Sequence, residues 1–198
     1  NFLVALAYSI LQSKRWLGPH IILATDSFAI DQLWIGSLFG EKVDVFNCLD
    51  EIDSALDHTL WAMPKLWTIS KLGKDPFLHL DIDLAFTGPP RIPEDWDQVF
   101  YLKETAGKAH IATGLHDYSC VNSGWDLPRV TQGAGYYNTG VIGDRLGILH
   151  QGAKALWDHA YNNNFAGEEL NYYLEQWGLT QASKRYGSNP SFIVQGAL

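Results

Sequence analysis

The chain alternates short apolar runs with segments whose apolar residues recur at helical spacing, and this alternation constrains the fold more than any other feature. Strand-like runs occupy residues 20–25, 43–46, 98–102 and 136–142, and helical patterns follow the first and the last of them. A strand–helix–strand–helix order favours parallel strands with helices packed on the sheet. We therefore predict an α/β domain with a mostly parallel central sheet and helices on both faces.

Length and composition suffice for one such domain and exclude several kinds of protein. The 198 residues are 46% hydrophobic and 18% charged, so a large core is expected and wholesale disorder is excluded. The formal net charge of −8 argues against nucleic acid or an anionic membrane as the main partner. The two cysteines, Cys48 and Cys120, show neither disulfide density nor metal-ligand spacing, which favours a cytoplasmic location.

Helix boundaries are marked by capping and breaking residues. The apolar opening, residues 2–11, is too short to span a bilayer, so we expect a buried helix and no transmembrane segment. Asp26 or Ser27 is positioned to cap a second helix. Pro64 and Gly73 frame a third helix, and Gly178 is predicted to end the last one. This framing follows the preference for proline at helix starts and glycine just beyond helix ends.

The most informative segment is an apolar strand that runs into Asp81 and Asp83. Residues i and i+2 of a strand share a face and lie about 6.5–7 Å apart. Paired carboxylates repel each other and are costly to desolvate unless a cation neutralises them. Mg²⁺ or Mn²⁺ prefers such oxygen ligands and commonly completes its coordination with phosphates. Asp81 and Asp83 are therefore predicted metal and phosphate-binding residues, the alternative being a solvated surface turn.

Several segments resemble those of a known enzyme family. Residues 77–83, Phe-Leu-His-Leu-Asp-Ile-Asp, resemble the strand and metal-binding Asp-x-Asp of the GT-A fold glycosyltransferases, and the helix at 65–72 lies where these enzymes have one. Residues 136–142 are similar to the aromatic-Asn-Ser/Thr-Gly-Val segment of the retaining members that resemble glycogenin and lipopolysaccharide galactosyltransferases. Residues 168–171 fall where those members carry an Asp/Glu-Gln pair. The resemblance covers residues 21–177 in the right order.

This resemblance implies both a fold and an activity. The fold would be a single GT-A-like, Rossmann-like domain over residues 1–198. The activity would be that of a retaining, hexosyltransferase-like glycosyltransferase with Mn²⁺ or Mg²⁺ as cofactor. The donor would be a nucleoside diphosphate-sugar, with a UDP-sugar favoured, and the acceptor would be a glycan, a lipid or a protein.

The resemblance also implies a role for each matching residue. Asp81 would face the ribose and the metal, and Asp83 would coordinate the metal on the diphosphate. Asn138 would lie beneath the transferred sugar, where Glu168 or Glu169 would bond the sugar hydroxyls or steady the oxocarbenium-like centre. A structural role is the alternative for each of these last three, since acidic residues also favour helix N-termini and amides satisfy backbone groups.

Three further residues are candidates with an equally plain structural alternative. Asp26 would contact the nucleotide or cap a helix. Lys65 would reach a phosphate or lie solvated on its helix. His79 shares the strand face of Asp81 and would either support the metal site or pack in the core.

Two elements of the family pattern are missing: an opening strand that holds the base, and a late His-x-x-Gly-x-x-Lys segment. Either the chain is trimmed at both ends, or its site is built differently, with waters completing an open metal site. Two rival functions follow. One is a non-catalytic module of the same fold that binds nucleotide-sugar or glycan. The other is a haloacid-dehalogenase-like phosphatase, disfavoured because Ala85 stands where that family has Thr or Val.

Overall fold

The computed structural model describes residues 2–33, 43–52, 56, 59–82, 84–105, 133–163, 167, 169–185 and 190–193. The helices are α1 (Phe2–Leu17), α2 (Ser27–Leu33), α3 (Met63–Leu72), α4 (Leu149–Asn162), α5 (Glu169–Tyr172) and α6 (Leu179–Arg185). The strands are β1 (Ile22–Thr25), β2 (Asp44–Asn47), β3 (Phe77–Leu80), β4 (Gln98–Thr105), β5 (Gly135–Asp144) and β6 (Ser191–Phe192). A 3₁₀ turn covers Leu49–Glu51, and a π-helical segment, Tyr173–Gly178, joins α5 to α6.

The described strands form two small sheets. β1 and β2 pair in parallel, and a second sheet has the order β3-β5-β4-β6. In this second sheet β5 runs antiparallel to both β3 and β4, whereas β6 joins β4 in parallel. The mixed α/β class is as expected, but these strands do not form one mostly parallel sheet. The sequence pattern did not reveal whether neighbouring strands run parallel or antiparallel, because a strand that is buried on both faces is apolar in either case.

The four-stranded sheet has an apolar cluster on each face. Adjacent residues of a strand point to opposite faces, and Val99 and Phe100 of β4 accordingly belong to different clusters, as do Val141 and Ile142 of β5. Phe100 and Ile142 face the larger cluster, which is built with α3, α4, the π-helical segment and α6. The smaller cluster is covered in part by the end of α1. Each face of the sheet therefore carries buried apolar side chains.

Local sequence signals placed several helix boundaries correctly. Asp26 caps α2, since its Oδ1 accepts a hydrogen bond from the Ala29 amide at 2.6 Å. Pro64 stands in the first turn of α3, and Gly73 follows its last residue with a φ of 64°. The opening segment forms a helix as predicted, but α1 buries only one face. Leu6 and Ile10 are buried there, whereas other apolar side chains of the helix are exposed.

Gly178 does not end the last helix, contrary to the prediction. It is the final residue of the π-helical segment, and α6 continues to Arg185. A Cβ at Gly178 would lie 2.6 Å from Leu156 Cδ2, so the glycine permits α4 to pack closely here. Among the helices of the described ranges, none has both the length and the apolar character needed to cross a membrane.

Candidate functional site

The antiparallel pairing of β3 with β5 brings the two motif segments together. β3 ends at Leu80, which lies opposite Val141, and Asp81 follows directly. The Asp81 amide donates a hydrogen bond of 3.0 Å to the Gly140 carbonyl oxygen. Asp81, the first residue of the Asp-x-Asp motif, therefore lies beside the Asn-Thr-Gly segment, at the point where β3 ends and β5 continues along β4.

Lys65 on α3 joins these segments to the π-helical segment. Its Nζ lies 2.6 Å from Asp81 Oδ1 and forms a second ion pair with Glu175 Oε1. It also donates to the carbonyl oxygen of Thr139 at 3.2 Å. The Lys65 side chain is 9% exposed and that of Glu175 only 2%, against 31% for Asp81. We refer to Lys65, Asp81 and Glu175 as the lysine cluster.

His79 completes the surroundings of Asp81. Burial acts to raise the pKa of Asp81, but the hydrogen bond from His79 and the charge of Lys65 outweigh it, so this pKa lies below its usual value. Burial lowers the pKa of His79, and Lys65 adds to that effect against the opposing influence of Asp81. Asp81 is therefore ionised and can only accept, so His79 Nε2, 3.2 Å from Asp81 Oδ1, carries the proton.

Glu175 is a site residue that the sequence analysis missed. Its Oε1 accepts hydrogen bonds from Lys65 and from the Thr139 hydroxyl, whereas Oε2 is buried and has no hydrogen-bond partner among the described residues. A buried carboxylate oxygen without a partner is costly, and π-helical segments are rare and often occur at functional sites. The available signal was an acidic residue between Leu174 and Trp177 in an apolar helical stripe.

The orientation of the Asn138 amide is fixed from both ends. Its Nδ2 donates to Glu104 Oε1 at 2.7 Å, and its Oδ1 accepts from the Gly140 amide at 3.0 Å. The other oxygen of Glu104 accepts from the Tyr136 hydroxyl at 2.7 Å. Burial and the hydrogen bond to Glu104 raise the pKa of Tyr136, so its hydroxyl remains a donor. Glu104 also escaped the sequence analysis, because it lies beyond the strand-like run at residues 98–102, whereas β4 extends to Thr105.

Gly140 lies where Asn138 and Asp81 approach each other. A Cβ at Gly140 would lie 3.2 Å from Asn138 Oδ1 and 3.7 Å from Asp81 Oδ2, with Leu84 Cδ1 at 3.0 Å. An amide oxygen and a carboxylate oxygen are thus neighbours at this glycine. Any larger residue here would crowd Asn138 and Leu84.

Of the remaining candidates, only Asp26 is described together with its side chain. It follows β1 of the two-stranded sheet and caps α2. Glu169 begins α5, but its side chain lies outside the description. Asp83 and Glu168 lie outside the described residues altogether.

The donor chemistry of Asp81 fits the predicted Mn²⁺ or Mg²⁺, which prefers carboxylate oxygens. Lys65 and His79 both contact Oδ1 of Asp81, whereas Oδ2 is the carboxylate oxygen that lies near Gly140. Within the described ranges, no three His, Cys, Asp or Glu side chains converge into a group that could hold a metal ion. Asp83, the second ligand implied by the resemblance, is not among those ranges.

No protein-family model matches this chain, and neither curated proteins nor solved structures yield a match. Function is therefore inferred from the positions and chemistry of the site residues.

Proposed function

We propose that this chain is a metal-dependent glycosyltransferase with a GT-A-like fold. It would move a sugar from a nucleoside diphosphate-sugar, with a UDP-sugar as the favoured donor, to an acceptor hydroxyl. One observation carries the proposal: the Asp81 carboxylate and the Asn138 amide approach each other at Gly140, where both would lie within 4 Å of a Cβ. A carboxylate for the metal–diphosphate end and a neutral amide for the sugar end would thus be adjacent, as a nucleotide-sugar requires.

The diphosphate end of the donor would lie at Asp81. Mn²⁺ or Mg²⁺, held by Asp81 and Asp83, would supply positive charge that offsets the charge developing on the leaving diphosphate. Lys65 contributes in a different way. Its ammonium holds Asp81 Oδ1 in place and keeps the carboxylate ionised and ready to act as a ligand.

The sugar end would lie at Asn138. Glu104 and the Gly140 amide use one N–H and one lone pair of the Asn138 amide, which leaves one N–H and one lone pair for sugar hydroxyls. In the transfer, the bond from the anomeric carbon to the diphosphate oxygen breaks, and its electron pair stays on the diphosphate. The acceptor oxygen forms the new bond to that carbon, and its proton passes to the departing diphosphate.

Calorimetric titration with UDP, with and without Mn²⁺, together with an assay for UDP release from UDP-glucose and UDP-galactose, tests this proposal. We expect Mn²⁺-dependent UDP binding that weakens by at least about tenfold in Asp81→Asn. The matched control is Asp158→Asn, an exposed carboxylate paired with Lys154 on α4, which should leave UDP affinity unchanged.

UDP affinity that is independent of Mn²⁺ and unchanged in Asp81→Asn would contradict the proposal. Mn²⁺-dependent binding without any UDP release would instead support the non-catalytic binding module.

A further inference from the structure

Two large aromatic side chains are exposed next to each other on the surface. Trp61 precedes α3 and is 50% exposed, and Tyr172 ends α5 and is 48% exposed. Their rings meet edge to face, with centroids 5.8 Å apart and an interplanar angle of 89°. We call Trp61 and Tyr172 the aromatic corner. Half of each side chain remains open to solvent although both lie in well-packed parts of the fold.

The aromatic corner is held in place by a buried amide. Asn171, which is fully buried, accepts a hydrogen bond from the Ala62 amide at 2.7 Å through its Oδ1. Its Nδ2 donates to the Thr59 carbonyl oxygen at 2.8 Å. The backbone on both sides of Trp61 is thus tied to the residue that precedes Tyr172. Because the backbone that carries the two rings is held in place before any ligand arrives, less conformational entropy would be lost on binding.

The aromatic corner belongs to the same two chain segments as the lysine cluster. Trp61 stands four residues before Lys65, and Tyr172 stands three residues before Glu175. Trp61 contacts Tyr172, and Lys65 contacts Glu175, so the two segments meet at both pairs of residues.

Polar groups suited to hydroxyl ligands surround Tyr136, whose phenol is influenced by Tyr172 of the aromatic corner. Glu104 accepts from Tyr136 and Asn138, and it is only partly buried. Tyr172 is near enough to Tyr136 to help raise the pKa of that phenol, after the larger effects of burial and of Glu104. Tyr136, whose phenol Tyr172 influences, is therefore connected through Glu104 to the Asn138 amide.

We propose that the aromatic corner binds the acceptor and that this acceptor is a saccharide. The assignment as acceptor site rests on the proposed function. A pyranose ring has a C–H face that packs against an aromatic ring and hydroxyls that donate to a carboxylate such as Glu104. Two rings at a right angle form a corner rather than a parallel-walled slot for a flat nucleobase. The negative charge of Glu104 disfavours a phosphate there.

The test measures binding of neutral oligosaccharides, namely maltotriose, cellotriose and lactose, by saturation-transfer NMR. Wild type should bind at least one of them, and Trp61→Ala and Tyr172→Ala should each weaken that binding by about tenfold or more. Both variants should keep the UDP affinity of wild type. The matched control is Phe28→Ala, an aromatic side chain on α2 that is 73% exposed and should leave saccharide binding unchanged.

The experiments can contradict the proposed function and the aromatic-corner proposal independently of each other. Saccharide binding requires no donor, so loss of binding in Trp61→Ala supports the aromatic corner even if no UDP-sugar is turned over. UDP release from a UDP-sugar without binding of any of the three saccharides would overturn this inference alone. Equal saccharide affinity in wild type and both aromatic variants would also overturn the inference about the aromatic corner. Sugar transfer to a lipid or peptide acceptor that neither substitution affects would overturn it as well.

Discussion

His159, a buried imidazole on α4, makes the stability of the fold depend on pH. Its side chain is 7% exposed, and burial lowers its pKa. Asn163 Nδ2 donates to the carbonyl oxygen of His159 at 2.7 Å and approaches its Nδ1 at 3.3 Å. An amide nitrogen has no lone pair to offer, so Nδ1 is the acceptor and the imidazole is neutral. Protonation would place an N–H against that amide.

We expect stability to fall as this imidazole is forced to accept a proton. Because the folded pKa lies below the unfolded value of about 6.5, the unfolded chain binds more protons as the pH drops through that value. The melting temperature should therefore fall by a few degrees between about pH 7.5 and about pH 5.5. His159→Gln should reduce this dependence without abolishing it, since the pKa of His79 is lowered too.

The control for this measurement is His20→Gln, because His20 is exposed. That variant should keep the pH dependence of wild type. Identical dependence of the melting temperature on pH in wild type and His159→Gln would show that the buried imidazole does not account for it.

Individual site residues differ in how far the sequence reveals them. Asp81 and Asn138 were candidates because each stands in a short motif, and the pairing of β3 with β5 places both beside Gly140. Glu104 and Glu175 were not candidates, because nothing near them in sequence indicates their partners. Glu104 meets Asn138 only through the pairing of β4 with β5, and Glu175 meets Lys65 only through the packing of the π-helical segment against α3.

The close contact between α4 and the π-helical segment depends on Gly178. A methyl group there would lie 2.6 Å from Leu156 Cδ2 and 2.8 Å from its Cδ1, and Leu156 is 1% exposed. Overpacking of a core lowers the free energy of unfolding by about 1–3 kcal/mol, whereas replacing glycine by alanine in a helix raises it by at most about 1 kcal/mol. We therefore expect Gly178→Ala to lower the free energy of unfolding by about 1–2 kcal/mol in urea titration.

A double-variant cycle separates packing from helix propensity. Leu156→Val removes part of the facing side chain, so Gly178→Ala should be less destabilising in that background than in wild type. Gly88→Ala is the control, since a Cβ there would meet nothing within 4 Å. If Gly178→Ala and Leu156→Val had additive effects on the free energy of unfolding, the contact between these two residues would not explain the loss of stability.

Elements were predictable where their determinants are local. Pro64 and Gly73 mark α3 because proline and glycine act on their own turn, and the Asp26 cap likewise involves only the following turn. Gly178 was misinterpreted because its role is set by Leu156 on another helix. The direction of β5 was not predictable for a similar reason, since strand direction is decided by the neighbouring strands and connections rather than by the residues of the strand.

The lysine cluster connects elements that are distant in sequence. Lys65 comes from α3, Asp81 follows β3, Glu175 belongs to the π-helical segment, and the Thr139 carbonyl oxygen that Lys65 also binds belongs to β5. A nearly buried ammonium thus holds two carboxylates together where the sheet meets its helical layer. Removing one member of such a group is more harmful than removing a balanced pair, because the remaining charge is left buried without a partner.

Lys65→Met should accordingly be strongly destabilising. It leaves Asp81 and Glu175 without their shared cation, and breaking a buried ion pair costs about 3–5 kcal/mol. The double variant Lys65→Met/Glu175→Gln removes the more deeply buried charge as well, so it should recover part of that loss. The control is Lys154→Met, whose exposed ion pair with Asp158 should contribute less than about 1 kcal/mol. Urea titration of the four proteins at neutral pH measures these differences. Two results would contradict the view that charge balance across these elements stabilises the fold. One is a similar loss of unfolding free energy in Lys65→Met and Lys154→Met. The other is a double variant that is less stable than Lys65→Met.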